Sequence, residues 1–186
     1  MNTNIRIANK ADAQFIHDVY GYYVLNTNVT FYMNNFTLKE FERKIAATLM
    51  DFPYYILEVD GNACGFAYAG KLRPQDAYRW TVETTVYLSP DAPKRRGLGR
   101  LLYQKLLDTL RAQGIQTVFG VISATNEPSI QMHRSMGFTE AGRFRRMGNK
   151  NGEWLDVVWM QKTLNVLGDD PGPPVPFSQL NPPPLA

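Results

Sequence analysis

A single cysteine, Cys64, stands in a chain of 186 residues. One thiol cannot close an internal disulfide, and such sparing use suits a reducing compartment. Histidine is nearly as scarce, limited to His17 and His133. No His, Cys, Asp or Glu cluster has metal-ligand spacing, so no metal cofactor is expected. No stretch reaches the ~20 apolar residues of a membrane span, and Met1–Lys10 lacks the apolar core of a secretory signal. The expectation is a soluble cytoplasmic protein with no membrane partner. Neither sign of charge dominates: the net charge is +3 and the pI about 9.0. A P-loop is missing too, since no Gly-x-x-x-x-Gly-Lys-Ser/Thr occurs. A dinucleotide fingerprint fails as well, because Leu102 stands where its third glycine belongs.

What is present is a globular composition, 44% hydrophobic and 20% charged. Residues 1–167 suit one domain with a sizeable core. Residues 168–186 hold seven of the twelve prolines. They are expected to form a flexible extension, with a docking strap as the alternative.

Periodicity orders the elements. Ile5–Ile7 reads as a strand, Asp12 to Leu25 as a helix with an apolar stripe. Thr37 and Glu40 form a capping box opening a second helix to about Leu49. Tyr54–Val59 and Ala63–Tyr68 read as a hairpin turning on Asp60-Gly61. Arg79–Leu88 is the longest strand candidate, and a helix covers 98–111. Thr117–Ile122 is an apolar strand, and Asn126 to Met136 a short helix closed by Gly137. Phe138–Met147 and Trp154–Thr163 pair across Gly148–Gly152. The order β-α-α-β-β-β-α-β-α-β-β predicts an α/β (α+β) fold, a mixed sheet with helices on its faces.

Residues 94–100, Lys-Arg-Arg-Gly-Leu-Gly-Arg, form a basic glycine-rich turn between a strand end and a helix. Such a turn aims backbone N–H groups and the positive helix end at an anion, most often a phosphate or pyrophosphate. By itself the pattern is equally compatible with a tight strand–helix connection. Alternation along 81–88 puts Val82, Thr84, Val86 and Leu88 on one face and Thr81, Glu83, Thr85 and Tyr87 on the other. A lone Glu83 on a wet strand face needs no chemical role. A second basic cluster, Arg143-Phe144-Arg145-Arg146 with Lys150, has the aromatic interleaving of a nucleic-acid surface but also suits a solvated face.

Several motifs, in order and spacing, resemble one family. The basic-x-x-Gly-x-Gly turn after Val86-Tyr87-Leu88 is similar to the acyl-coenzyme A signature of the GNAT superfamily of N-acetyltransferases. Asn126-Glu-Pro-Ser129-Ile-Gln-Met132-His133-Arg-Ser-Met-Gly137-Phe138 resembles that superfamily's Asn-x-x-small-x-x-apolar-aromatic-x-x-x-Gly-Phe stretch. Trp80 to Leu88, Tyr22 to Thr27 and Gly152 to Val157 narrow the likeness to phosphinothricin and methionine sulfoximine acetyltransferases. The resemblance covers about residues 4–164. It implies a GNAT-type sheet whose splayed central strands bind acetyl-CoA. Backbone groups of Val86, Tyr87 and Leu88 would pair with pantetheine, and the Leu88 N–H would polarise the thioester carbonyl. The amides of Arg95, Arg96, Gly97, Leu98, Gly99 and Arg100 would hold the pyrophosphate. Lys94 takes the place of the usual Gln or Arg.

The resemblance further implies that Glu83 is the general base, direct or through water, for an amine whose free pKa is about 8. His133 stands where a Tyr often donates to the departing thiolate. Asn126 and Ser129 would meet the pantetheine, with Asn126 equally suited to capping its helix. Arg73 would hold the acceptor carboxylate, though its loop position equally suits a solvated charge; Phe31 and Tyr32, between the first two helices, suit either a wall of the acceptor pocket or the core. The implied activity is acetylation of the α-amine of phosphinothricin, methionine sulfoximine or methionine sulfone, by direct transfer in a homodimer. A peptide or protein amine is the alternative acceptor; a non-catalytic acyl-CoA binder and a nucleic-acid binder are lesser readings.

Overall fold

The sequence stripes fold in the expected order. The computed structural model describes residues 1–166 and 168–180. Its strands are β1 (Thr3–Ile7), β2 (Tyr54–Val59), β3 (Asn62–Lys71), β4 (Thr81–Leu88), β5 (Thr117–Ser123), β6 (Thr139–Lys150) and β7 (Glu153–Thr163). Its helices are α1 (Ala13–Asn26), α2 (Leu38–Asp51), α3 (Leu98–Ala112) and α4 (Glu127–Ser135). The strands form one mixed sheet in the order β1-β2-β3-β4-β5-β7-β6. Every neighbouring pair is antiparallel except β4 and β5, which α3 joins in parallel.

Alternation sorts the apolar side chains to two cores. Tyr54, Ile56 and Phe66 face Ile16, Val19, Phe41 and Ile45 of α1 and α2. Tyr55, Leu57, Ala67 and Val82 face Leu102, Leu106 and Leu110 of α3. Opposite parity on one strand sends neighbours to opposite layers, so the sheet is buried on both faces over its centre.

Local signals act as their chemistry requires. The Thr37 N–H donates to Glu40 Oε2 at 2.7 Å, and the Glu40 N–H returns to Thr37 Oγ1 at 3.3 Å. Asp60 and Gly61 both have positive φ, 48° and 82°, the two-residue turn that matches the twist of a hairpin. The same chemistry recurs at Asn151 and Gly152, with φ of 52° and 79°. The second hairpin therefore turns on two residues, and β6 and β7 run longer than the broad Gly148–Gly152 turn expected. β4 begins at Thr81, not Arg79, because Asp76–Tyr78 forms a 3-10 turn just before it.

The proline-rich extension departs from expectation. Over its described part it is a strap across α2, α3 and the start of β4, not a loose tail. The Trp80 indole donates to the Gly172 carbonyl at 2.9 Å. Gln113 and Val175 exchange bonds, Val175 N–H to the Gln113 carbonyl and Gln113 Nε2 to the Val175 carbonyl, both 2.8 Å. Phe177, 5% exposed, enters the α3-side core beside Tyr55. Prolines reduce the freedom lost when such a segment docks. Pro182, Pro183 and Pro184, and the domain edge at residue 167, lie outside the described residues. Phe177→Ala should lower the unfolding free energy by about 3 kcal/mol, checked by urea denaturation; an unchanged midpoint would mean that the strap does not pack in solution.

Candidate active site

The site begins where β4 and β5 stop pairing. The strands run 8 and 7 residues, yet only three partners are matched: Thr81 with Thr117, Val82 with Val118 and Glu83 with Phe119. Beyond them the strands part. The Ser89 N–H bonds the Cys64 carbonyl, so alternation turns the backbone polar groups of Val86 and Leu88 away from β3 and toward the gap. The Tyr23 hydroxyl, reaching over from α1, donates to the Leu88 carbonyl at 2.9 Å. A cavity of about 490 Å³ fills the gap, walled by β4, β5, α4 and residues 29–32.

Glu83 stands at the last paired position and faces the α1–α2 layer. That face is not wet, as alternation alone allowed, but covered. Among the described residues no donor lies within hydrogen-bond distance of its carboxylate, and it is the single acidic residue lining the cavity. Burial pushes its carboxyl above the usual carboxylate range, against the opposing fields of Arg73 and Lys44. A half-dry, unpaired carboxylate is a proton acceptor in waiting. Phe31 lines the same cavity, with its ring against Gly148, where a Cβ would sit 2.7 Å away. Arg73 is exposed on the loop after β3 and lies outside the cavity lining, near enough to act on Glu83 through its field.

His133 is 3% exposed, and both ring nitrogens are engaged. Nδ1 lies 2.8 Å from the Ser129 carbonyl, which can only accept, so that nitrogen carries the proton. Burial lowers the ring pKa and keeps it neutral, leaving Nε2 to accept from the Tyr103 hydroxyl at 3.1 Å. The Tyr103 oxygen lies 2.6 Å from the Thr84 hydroxyl, which is also 2.9 Å from the Phe119 carbonyl. The free nitrogen that sequence reasoning aimed at a departing thiolate is thus taken up inside the protein. His133 and Tyr103 form the floor of the gap at Thr84, the first residue beyond the pairing. Gly120 makes room: a Cβ there would meet His133 Nε2 at 2.5 Å.

At the other end lies the basic turn. Lys94, Arg95, Arg96, Gly97 and Arg100 are exposed, Leu98 is anchored in the core, and Gly99 packs against Met132. Arg95 and Gly97 take positive φ, 58° and 71°, and no side chain caps α3. None of the four cations has a carboxylate within salt-bridge distance among the described residues. An uncapped 15-residue helix start ringed by free cations is suited to a pyrophosphate. It lines a second cavity of about 640 Å³. The two cavities share Tyr23, Leu88, Gly99, Pro128 and Met132, so one groove runs from the turn to Glu83. Asn126 and Ser129 line its middle, and the Asn126 side chain also accepts from the Ser129 N–H. The groove thus brings together an uncapped cationic helix start, turned-in backbone groups and an unpaired carboxylate, an arrangement chemically suited to an acyl-CoA thioester and an amine.

Sequence reasoning missed Tyr103, Tyr23, Gly120 and Lys44. The first two sit within apolar helical stripes and read as core, and the glycine reads as a strand residue. Lys150, assigned above to a possible nucleic-acid face, is 3% exposed and donates to the Thr30 carbonyl at 2.8 Å, holding the 29–32 segment over the cavity. It is not available to a polyanion.

Fold and groove together are those of an acyl-CoA-dependent transferase. The family model described as an acetyltransferase (GNAT) domain matches residues 5–159, and the chain belongs to that family. It is 37% identical to a phosphinothricin N-acetyltransferase of Streptomyces viridochromogenes, over 92% of this chain and 91% of that protein. It is 36% identical to an L-methionine sulfoximine/L-methionine sulfone acetyltransferase of Salmonella typhimurium, over 87% and 94% of the two chains. The Salmonella typhimurium protein yncA, solved with its cofactor acetyl-CoA, superposes with a TM-score of 0.87 at 33% identity, covering 92% of this chain and 99% of its own. The chain is therefore a GNAT-family N-acetyltransferase, and acetyl-CoA is the co-substrate seen in a relative of the same fold.

Gly120→Ala should drive His133 out of its seat, lower stability by about 1–3 kcal/mol and raise the KM for acetyl-CoA. Thermal denaturation and initial rates check both; a variant matching the parent in each would show that the floor of the gap is not packed as described.

Proposed function

We propose that this enzyme transfers the acetyl group of acetyl-CoA directly to the α-amine of a small amino acid analogue of the phosphinothricin or methionine sulfoximine type. The observation carrying this reading is the unpaired, half-dry Glu83 at one end of a groove whose other end is a cationic helix start. Residues 29–32 roof that end, which favours a small acceptor over a protein segment.

Acetyl-CoA supplies the acyl group as a thioester. The amides and side chains of residues 94–100 hold its pyrophosphate, and Val86, Tyr87 and Leu88 meet its pantetheine through the backbone. Asn126 and Ser129 line that path. Glu83, directly or through a water, takes one proton from the ammonium, so that the nitrogen lone pair can attack the thioester carbon. The new C–N bond forms as the C–S bond breaks, and the Leu88 N–H steadies the carbonyl oxygen as charge gathers on it. The thiolate leaves as the sulfur of coenzyme A and takes up a proton. His133 is a positioning residue here, acting through Tyr103 and Thr84. Arg73 attracts the acceptor carboxylate and Phe31 walls the pocket. A cytoplasmic homodimer belongs to the same reading.

Thiol release should be followed with acetyl-CoA and L-phosphinothricin, L-methionine sulfoximine, L-methionine sulfone or a basic peptide. Saturable turnover of a small amino acid is expected, cut ten-fold or more in Glu83→Gln, an order consistent with loss of a general base. Turnover of the peptide alone would move the assignment to a protein acceptor.

The same variant tests the electrostatics. A carboxyl whose folded pKa is raised is stabilising only while protonated, and that contribution is lost as pH rises through the folded value. The ionised Glu83 therefore costs stability near neutrality, and Glu83→Gln removes that cost. Its Tm should exceed the parent's at pH 8, with the gap closing as pH falls below the ordinary glutamate range. An equal or lower Tm at pH 8 would contradict the desolvation of Glu83.

A further inference from the structure

The cavity around Glu83 contains one cation in its lining, Lys44 of α2. Its Nζ donates to the Tyr68 hydroxyl at 2.6 Å, lies 4.3 Å from the Tyr68 ring centre and 6.0 Å from that of Phe36. Among the described residues no carboxylate comes within 4.0 Å of it. An ammonium has three donors, and this one is half-buried against aromatic rings with a single hydrogen bond made. Withdrawing a cation from water without an anionic partner is costly, and the cost is recovered when an anion arrives.

A second cation, Arg73, approaches Glu83 from a different element, the loop after β3. An acceptor with one carboxylate needs one of the two. The loop cation acts on Glu83 from outside the lining, where it can serve the carboxylate that every α-amino acid carries. Lys44 sits within the wall, together with Tyr68 and the aromatic rings that would surround a side chain.

Building on the proposed function, we infer that Lys44 and Tyr68 form a subsite for an anionic side-chain terminus, and that the preferred acceptor is an amino acid whose side chain ends in a negative group such as a phosphinate. Phosphinothricin and methionine sulfone isolate this feature. Both have two methylenes after the α-carbon, a tetrahedral centre with two oxygens and a terminal methyl. The phosphinate bears a full negative charge, whereas the sulfone is neutral.

The test compares kcat/KM for the two acceptors in the parent, Lys44→Met and Lys44→Arg. The parent should prefer phosphinothricin by about ten-fold or more, the order expected of one charge-assisted hydrogen bond in a partly shielded site. Lys44→Met should bring that ratio close to one, and Lys44→Arg should keep most of it. The neutral acceptor reports in the same experiment whether each variant is folded and active. Equal losses on both acceptors would overturn the inference, because Lys44 would then serve the shared α-carboxylate or Glu83. A parent that prefers the sulfone would overturn it as well. Failure of the parent to acetylate either compound would remove the proposed acceptor class and this subsite with it, a result distinct from turnover without a charge preference.

Discussion

Everything in this molecule turns on hydrogen bonds that β4 and β5 do not make. Two adjacent parallel strands ordinarily satisfy each other's backbone groups along their whole length. Here the pairing ends after Glu83 and Phe119, and the polar groups of Val86 and Leu88 are left facing a gap. Such groups must find water or a ligand. The parting is held open by packing below it. His133 and Tyr103 fill the floor, the Thr84 hydroxyl lies within reach of both the Tyr103 oxygen and the Phe119 carbonyl, and Gly120 leaves the space that the imidazole needs. The Tyr23 hydroxyl engages the Leu88 carbonyl but leaves its N–H for a ligand.

The groove also separates charges by distance and by dryness. The cations of the turn before α3 stand in solvent at one end, where an anion can be captured from a distance. Glu83 sits at the other end among Tyr20, Tyr68 and Thr30, in a region dry enough to raise its proton affinity. Lys44 and Arg73 limit that rise without pairing with the carboxylate. The balance leaves the carboxylate unpaired and its proton affinity raised, at a standing cost in stability that a solvated strand residue would not impose.

The element order, the capping box at Thr37 and the turns at Asp60-Gly61 and Gly137 were legible because each depends on neighbours within a few residues. The basic turn and Glu83 could be singled out through their resemblance to a family, and both line the groove. His133 was found as well, but not its partners: its ring nitrogens are claimed by Ser129 and by Tyr103, a residue thirty positions earlier. Between a flexible extension and a docking strap the sequence did not choose, since nothing local announces that Phe177 meets Tyr55, or that the Trp80 indole meets Gly172.

The sequence by itself determined the periodicities, the caps and the chemical inventory, because those are set by side-chain shape and short-range hydrogen bonding. Tertiary structure alone decided where the sheet parts, which groups engage the two ring nitrogens of His133, and which of twenty Lys and Arg residues enters the cavity beside Glu83. Those outcomes depend on packing between elements far apart in the chain, where contact is settled by the geometry of the whole sheet and its helices and not by any window of residues.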